Sequence, residues 1–352
     1  MNAQPTRVAV LAHDMFPDRA KTATGVIRYA DYEVAAVIDR ATAGSRAADH
    51  LSIPADRDAP VVASMADALS EGDIDALVIG IAPIGGGFDD SWRPDVETAL
   101  EAGVDVIAGL HYFLGEDDDF AALAADHGAT IHDVRKPHPD LTVAEGRADE
   151  VDADVVLTVG TDCSVGKMTV SLELTRAAQE RGIDAAFVPT GQTGIMISGW
   201  GNPIDRVVSD FTAGAVEEMI LDVGDDHDVL FVEGQGSIIH PAYSAVTCGI
   251  LHGAMPDAMV LCHVAGRDAI HGYEDTAIPS PETYVDLYED LAAPVHPGRV
   301  VAGAVNTASL DTDAAARATL DDFAAGIGGP ATDPIRFDAD ELLDAVLGDR
   351  ER

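Results

Sequence analysis

The 352 residues are 47% hydrophobic, enough to bury the cores of two ordinary domains and too apolar for wholesale disorder. Sixty-two acidic residues face 21 basic ones, and the resulting net charge of −41 repels nucleic acid and anionic membranes. Because the acids are spread along the whole chain, the charge fits a protein adapted to high salt, where self-repulsion is screened.

In chain order, nearly continuous apolar runs at Arg7–Ala12, Glu33–Ile38, Asp75–Ile81, Val104–Gly109 and Ala129–Val134 predict strands covered on both faces. Helix-like segments separate them, so the first half is expected to be a parallel, doubly wound sheet of Rossmann-like type. No G-x-G-x-x-G follows the first strand, where "AHDMFPDRAKTATG" stands instead, and a standard dinucleotide site is unsupported. Between His138 and Asp152 the chain turns polar and acidic, and a domain boundary is placed there, giving domains 1–145 and 146–352. The second half repeats the pattern with strands at Asp154–Val159, Ala185–Pro189, Asp228–Val232, Ala258–Val264 and Val300–Val305. Helices are expected at Met168–Arg181, stopped by Gly182, and at Pro281–Leu291, with Ser280 as cap and Pro281 in the first turn.

The strongest chemical signal is "VVLTVGTDCSVGKMTVSLEL", Val155–Leu174. A strand enters Gly160, a polar loop runs through Thr161, Asp162, Cys163, Ser164 and Val165 to Gly166 and Lys167, and a helix follows. Backbone N–H groups in such a loop, with the helix N-terminus behind them, form an anion cradle to which Lys167 adds a point charge. The spacing is one residue longer than the usual P-loop, and Met168 occupies the place of the Ser or Thr whose hydroxyl holds Mg²⁺; Thr169 comes one step later. Three cysteines argue against a disulfide framework, and no paired Cys or His spacing suggests structural zinc; no metal is assigned, with Thr169, Asp162 and Glu233 left open as ligands.

The longer spacing resembles dethiobiotin synthetase and its ATP-dependent amide-forming relatives. In "LFVEGQGS", Glu233 stands where those enzymes keep a magnesium-binding carboxylate, whereas Val188 replaces the lysine of their Lys-Pro loop in "VPTGQTG". Further landmarks, "KTATGVIRY", "DVRKP", "GTDCSVGKMT", "TGQTGIMISGWG", "DFTAGAVEE", "EGQGSIIHPAYSAVT" and "GAVNT", occur in that order. Together they resemble, over nearly the whole chain, a family long classed as a domain of unknown function, with a Rossmann-like N-terminal and a P-loop C-terminal domain. That family includes D-glutamate N-acetyltransferases of the DgcN type. The resemblance implies acetyl-CoA as donor, its phosphates held by Gly160 to Thr169, and a small acidic amino acid as acceptor. ATP with Mg²⁺, in a kinase or ligase, is the alternative, and a nucleotide-binding regulator a third.

Acetyl transfer to an amine needs a proton acceptor and donors for the developing oxyanion, while a dicarboxylic substrate needs cations, preferably arginine. Glu233 and His240 are the candidate bases; Arg267, Arg28 and Arg135 are candidate carboxylate ligands. The chain has 18 arginines but only three lysines, and Lys21 and Lys136 lie in motif settings as Lys167 does, so both join the substrate-binding set with Gln192 and Thr193. Asp162 and Ser164 are expected to shape the loop and Cys163 to line it, with acyl capture by Cys163 as the minor alternative. The N-terminus "MNAQPTRVAVLAHD" lacks a secretory pattern and no run of about 18 apolar residues occurs, so a cytoplasmic homo-oligomer acting on small molecules is expected, with no membrane partner.

Overall fold

Two parallel six-stranded sheets, each wrapped by helices, make up the described chain, residues 7–83 and 85–348 of this computed structural model. The first contains β1 (Arg7–Leu11), β2 (Glu33–Ile38), β3 (Val61–Val62), β4 (Ala76–Ile79), β5 (Asp105–Ala108) and β6 (Ile131–Asp133) in the order β3-β2-β1-β4-β5-β6. Its helices are α1 (Lys21–Tyr29), α2 (Met65–Ser70), α3 (Arg93–Glu101) and α4 (Asp118–His127). Val8 to Leu11 are all 0% exposed, as their uninterrupted apolar run predicts for a central strand. The added strand β3 has only two residues, too few for any periodicity to register. α4 is capped by Asp117, which accepts the Asp119 and Phe120 N–H groups and the Arg93 guanidinium. Gly128, at φ +74°, ends that helix in a left-handed turn.

The second sheet has β7 (Asp154–Gly160), β8 (Ala185–Val188), β9 (Val229–Val232) and β10 (Ala258–Val264). After the small antiparallel hairpin β11 (Ala269–Ile270) and β12 (Tyr273–Ala277), it is completed by β13 (Arg299–Asn306) and β14 (Ala331–Thr332). The order is β14-β13-β10-β7-β9-β8, with β7 central. Its helices are α5 (Lys167–Glu180), α7 (Thr212–Val223), α8 (Ser244–Ala254), α9 (Pro281–Ala292), α10 (Asp313–Ile327) and α11 (Asp340–Leu347); α6 (Gln192–Ser198) lies between the first two in sequence. Val156, Leu174, Phe231, Val260 and Leu343 belong to one buried cluster under α5 and α11. Ser280 stands at the N-cap of α9, but its hydroxyl meets Thr283 Oγ1 at 3.1 Å instead of capping a backbone N–H. Among the described residues no helix is long and apolar enough to cross a membrane.

The chain divides into two compact units: one runs to Lys136 and includes Gln192–Pro203, and the other holds Pro137–Gly191 and Ile204 onward. Within the first, Thr22 and Thr193 hydroxyls meet at 2.7 Å and the Tyr32 hydroxyl donates to Met196 O at 2.6 Å, tying α6 to α1. Within the second, the polar stretch after Pro137 is pinned by buried Glu217 of α7, which accepts the Glu145 and Arg147 N–H groups at 2.6 Å each. Gly214 permits this contact, since a Cβ there would stand 2.1 Å from Thr142 O.

Candidate active site

β7 delivers the chain to Gly160 at the C-terminal edge of the second sheet, and the loop turns into α5 through Gly166 at φ +99°. A side chain at that angle is strained, so glycine is what lets the chain turn from the loop into the helix there. α5 has no side-chain cap, and its first-turn N–H groups have no intrahelical acceptors. A loop of this kind, set ahead of an uncapped helix N-terminus, is suited to receiving an anion.

Lys167 does not project into solvent. It is 6% exposed, and Nζ donates to Asp162 O at 2.9 Å and to Gly236 O at 2.7 Å, joining the phosphate loop to the loop after β9. Met168 is buried, and Ser164 is exposed at φ +52°.

Two buried tyrosines that belong to no recognisable motif hold the loop from α9. Tyr284 Oη donates to Thr161 O at 2.5 Å, and Tyr288 Oη donates to Gly160 O at 2.8 Å while accepting the Ile238 N–H at 3.1 Å. Burial pushes the Tyr288 hydroxyl up to about 12, so it stays a donor. His263 on β10 completes the brace, with Nδ1 2.8 Å from Thr161 Oγ1 and its ring stacked on Phe323. All three lie on or beside elements whose hydrophobic pattern reads as ordinary core, which is why they escape a motif search.

Asp162 is fully buried inside the loop. Oδ1 accepts the Cys163 N–H at 2.7 Å; Oδ2 accepts Arg267 Nη1 at 3.1 Å and the His271 N–H at 2.9 Å. Arg267 Nη1 also donates to Cys163 O at 2.7 Å, so this arginine braces the phosphate loop. A ring nitrogen of His240, a carboxylate oxygen of Asp162 and Cys163 Sγ lie within 4.8 Å of one another. Burial, followed by the Asp162 charge, pushes the Cys163 thiol up, which disfavours the thiolate that acyl capture would need.

Glu233 sits at the tip of β9, where Oε2 accepts the Thr190 and Gly191 N–H groups at 3.2 and 3.1 Å and orders the loop leading to Gln192. Gly234, next in sequence, abuts β7 so closely that a Cβ would stand 1.8 Å from Thr158 O.

The other substrate candidates lie in the first unit. Arg135, buried just past β6, donates from Nη1 to His111 Nε2, and His111 packs on Gly86. Gln192 lies against Gly109 at the end of β5, and Thr193 meets Thr22. Lys21 is exposed at the first position of α1, Arg28 is half-buried in its last turn, and Lys136 forms an exposed pair with Glu116 at 3.0 Å. Thr22 and His111 were not singled out by sequence, because their partners are distant along the chain, whereas Gly86 falls in the glycine-rich turn Ile81–Asp90, which reads as suited to close ligand approach.

The Rossmann-like domain of the DUF1611 family, a domain of unknown function, matches residues 40–137, and the P-loop domain of that family matches residues 142–343. A D-glutamate N-acetyltransferase from Tritonibacter scottomollicae is 42% identical over 271 residues, 77% of this chain and 80% of its own length. Another from Pseudoalteromonas sp is 39% identical over 269 residues, 76% and 80% of the two chains. The crystal structure of a DUF1611 family protein from Anabaena variabilis superposes with a TM-score of 0.91 at 41% identity, covering 97% of this chain and 99% of that one.

Proposed function

The chain belongs to the DUF1611 family, and we propose that it moves an acetyl group from acetyl-CoA to the amine of D-glutamate or a similar acidic amino acid. The carrying observation is the phosphate loop: a braced anion cradle with a buried methionine, Met168, where triphosphate chemistry places its Mg²⁺ hydroxyl. Coenzyme A brings a diphosphate and a ribose phosphate, so residues Gly160 to Thr169 can hold it without cleaving anything. Relatives named D-glutamate N-acetyltransferase at about 40% identity support the same reading.

In this reading Lys167 and the first-turn N–H groups neutralise the diphosphate, and Arg267, anchored through Nη1, presents the rest of its guanidinium to the ligand. Glu233 is the proposed proton acceptor for the ammonium, since its carboxylate lies on the same edge as the cradle. Arg135 leads the proposed set for the substrate carboxylates, joined by Lys21, Arg28, Lys136, Gln192 and Thr193. The cytoplasm, a homo-oligomeric state and a saline working environment are proposed with it.

The test is thiol release from acetyl-CoA in the presence of D-glutamate and EDTA, run beside an ATPase assay with Mg²⁺. One free thiol per amide formed, without ATP, is the expected result. ATP consumption coupled to product, with no thiol from acetyl-CoA, would hand the chain to the kinase or ligase class.

A further inference from the structure

His240 lies just before α8, its ring held between Tyr243, with centroids 4.5 Å apart, and the edge of Tyr273 on β12 at 5.3 Å. The Ala242 N–H reaches Nδ1 at 3.1 Å. A backbone N–H can only donate, so Nδ1 is the acceptor and the ring carries its proton on Nε2. Nε2 is buried and has no hydrogen-bond partner. Asp162 Oδ1 stands 3.9 Å away, beyond hydrogen-bond reach, and is already engaged by the Cys163 N–H. Buried donors left unmade are rare in folded proteins, and this one sits beside an anion cradle.

Two other uses of this corner conflict with the ring's orientation. A metal held by Asp162, Cys163 and His240 needs the Nε2 lone pair, which would move the proton to Nδ1 and set it against the Ala242 N–H. A Cys163 nucleophile needs a neighbour that takes its proton, and an Nε2 that already carries one cannot.

We infer that His240 is a fixed hydrogen-bond donor for acyl transfer, its Nε2–H binding the acyl oxygen as that oxygen gains charge. The inference rests on the acetyl-transfer reading above. The substrate amine attacks the thioester carbon, forming the C–N bond and moving the carbonyl π pair onto oxygen, which accepts Nε2–H. Collapse restores the carbonyl and breaks the C–S bond. The first proton, taken from the ammonium by Glu233 before attack, goes to solvent; the second, lost from nitrogen after attack, passes through Glu233 to the departing thiolate, and His240 keeps its own proton throughout.

His240→Ala and His240→Gln separate a donor from a base, because glutamine offers an amide N–H at similar reach but cannot take a proton. His240→Ala should lower kcat on the order of 10²–10³-fold, as loss of an oxyanion donor does, while His240→Gln stays within about tenfold of the unchanged chain. KM for both substrates should move by less than about threefold. A second measurement, ¹⁵N NMR of the histidine rings in the intact protein, should place the His240 proton on Nε2. A His240→Gln protein that melts normally yet is as slow as His240→Ala overturns the inference, as does a proton found on Nδ1. If the unsubstituted protein releases no thiol from acetyl-CoA, the acetyl-transfer reading itself fails, and the inference falls with it.

Discussion

The two central strands, β1 and β7, occupy equivalent places in similar sheets and lead into very different turns. After β7 the chain passes through Gly160 and Gly166, leaves the start of α5 without a side-chain cap, and surrounds it with braces from α9 and β10. After β1 the turn contains no glycine, and the start of α1 is sealed by protein: the Ala23 N–H donates to Gly80 O at 2.8 Å and Thr22 bonds Thr193. Neither helix start has a side-chain cap, and at α1 the Ala23 N–H of the first turn is taken by the Gly80 carbonyl. A shared architecture therefore fixes where a site can be, and the loop after the central strand decides what it binds.

The sharpest break of this comparison is steric. Gly80 and Gly234 each follow the strand that neighbours the central one, on β4 and β9. A Cβ at Gly234 would meet the Thr158 carbonyl at 1.8 Å, whereas at Gly80 it meets Ala23 Cβ and Val10 Cγ1 at 2.7 Å. Gly234→Ala should therefore cost about 3 kcal/mol or more and abolish ligand binding, with Gly80→Ala milder. Paired thermal melts check the ranking, and equal losses would contradict it.

The next effect is on affinity. Lys167→Ala should weaken CoA binding more than tenfold, the loss of a charge-assisted bond worth about 1.5–3 kcal/mol. Because Lys167 also links Asp162 O to Gly236 O, a small fall in melting temperature should accompany it. Lys21→Ala, in the corresponding place of the first unit, should leave CoA affinity within about twofold. Titration calorimetry with both variants decides whether the cradle is confined to the second unit. Tyr288→Phe comes third: it strands Gly160 O and the Ile238 N–H and should cost about 1–3 kcal/mol, seen as a lower melting temperature and weaker CoA binding together.

Much of this contrast is legible in the chain. Ten of the strands, α5, α9 and the phosphate loop follow from apolar runs and from Gly160, Gly166 and Lys167. Two-residue strands such as β3 and β14 carry no pattern, and the braces are hidden for a different reason: Tyr284 and Tyr288 lie on the buried face of an amphipathic helix, where an aromatic reads as core. Their hydroxyls gain meaning only when folding sets them against a loop more than 120 residues away. His240 was legible as a polar residue in a glycine-rich loop. The donor that fixes its tautomer, the Ala242 N–H, is a backbone group and leaves no trace in the residue pattern.

The smallest expected effect is the response to acid. His263 has its proton affinity lowered by burial and then by the Arg267 charge, so the folded chain binds fewer protons there than the unfolded one. Its contribution is intact above the ordinary histidine value of about 6.5 and is lost as pH falls from there towards the lowered folded value. Protonation would set a positive ring, buried beside Thr161, against the Arg267 charge. In the first unit the capping carboxylate Asp117 is held at about 2 by Arg93, and what it contributes is lost only as pH falls below the usual carboxylate range towards that value. Between pH 7.5 and about 5.5 the phosphate loop should loosen while the α4 cap does not. Hydrogen exchange, corrected for the intrinsic pH dependence, should show faster exchange at Thr161 to Cys163 and no change at Asp119 and Phe120. Equal protection of both regions across that range would show that His263 does not hold the loop.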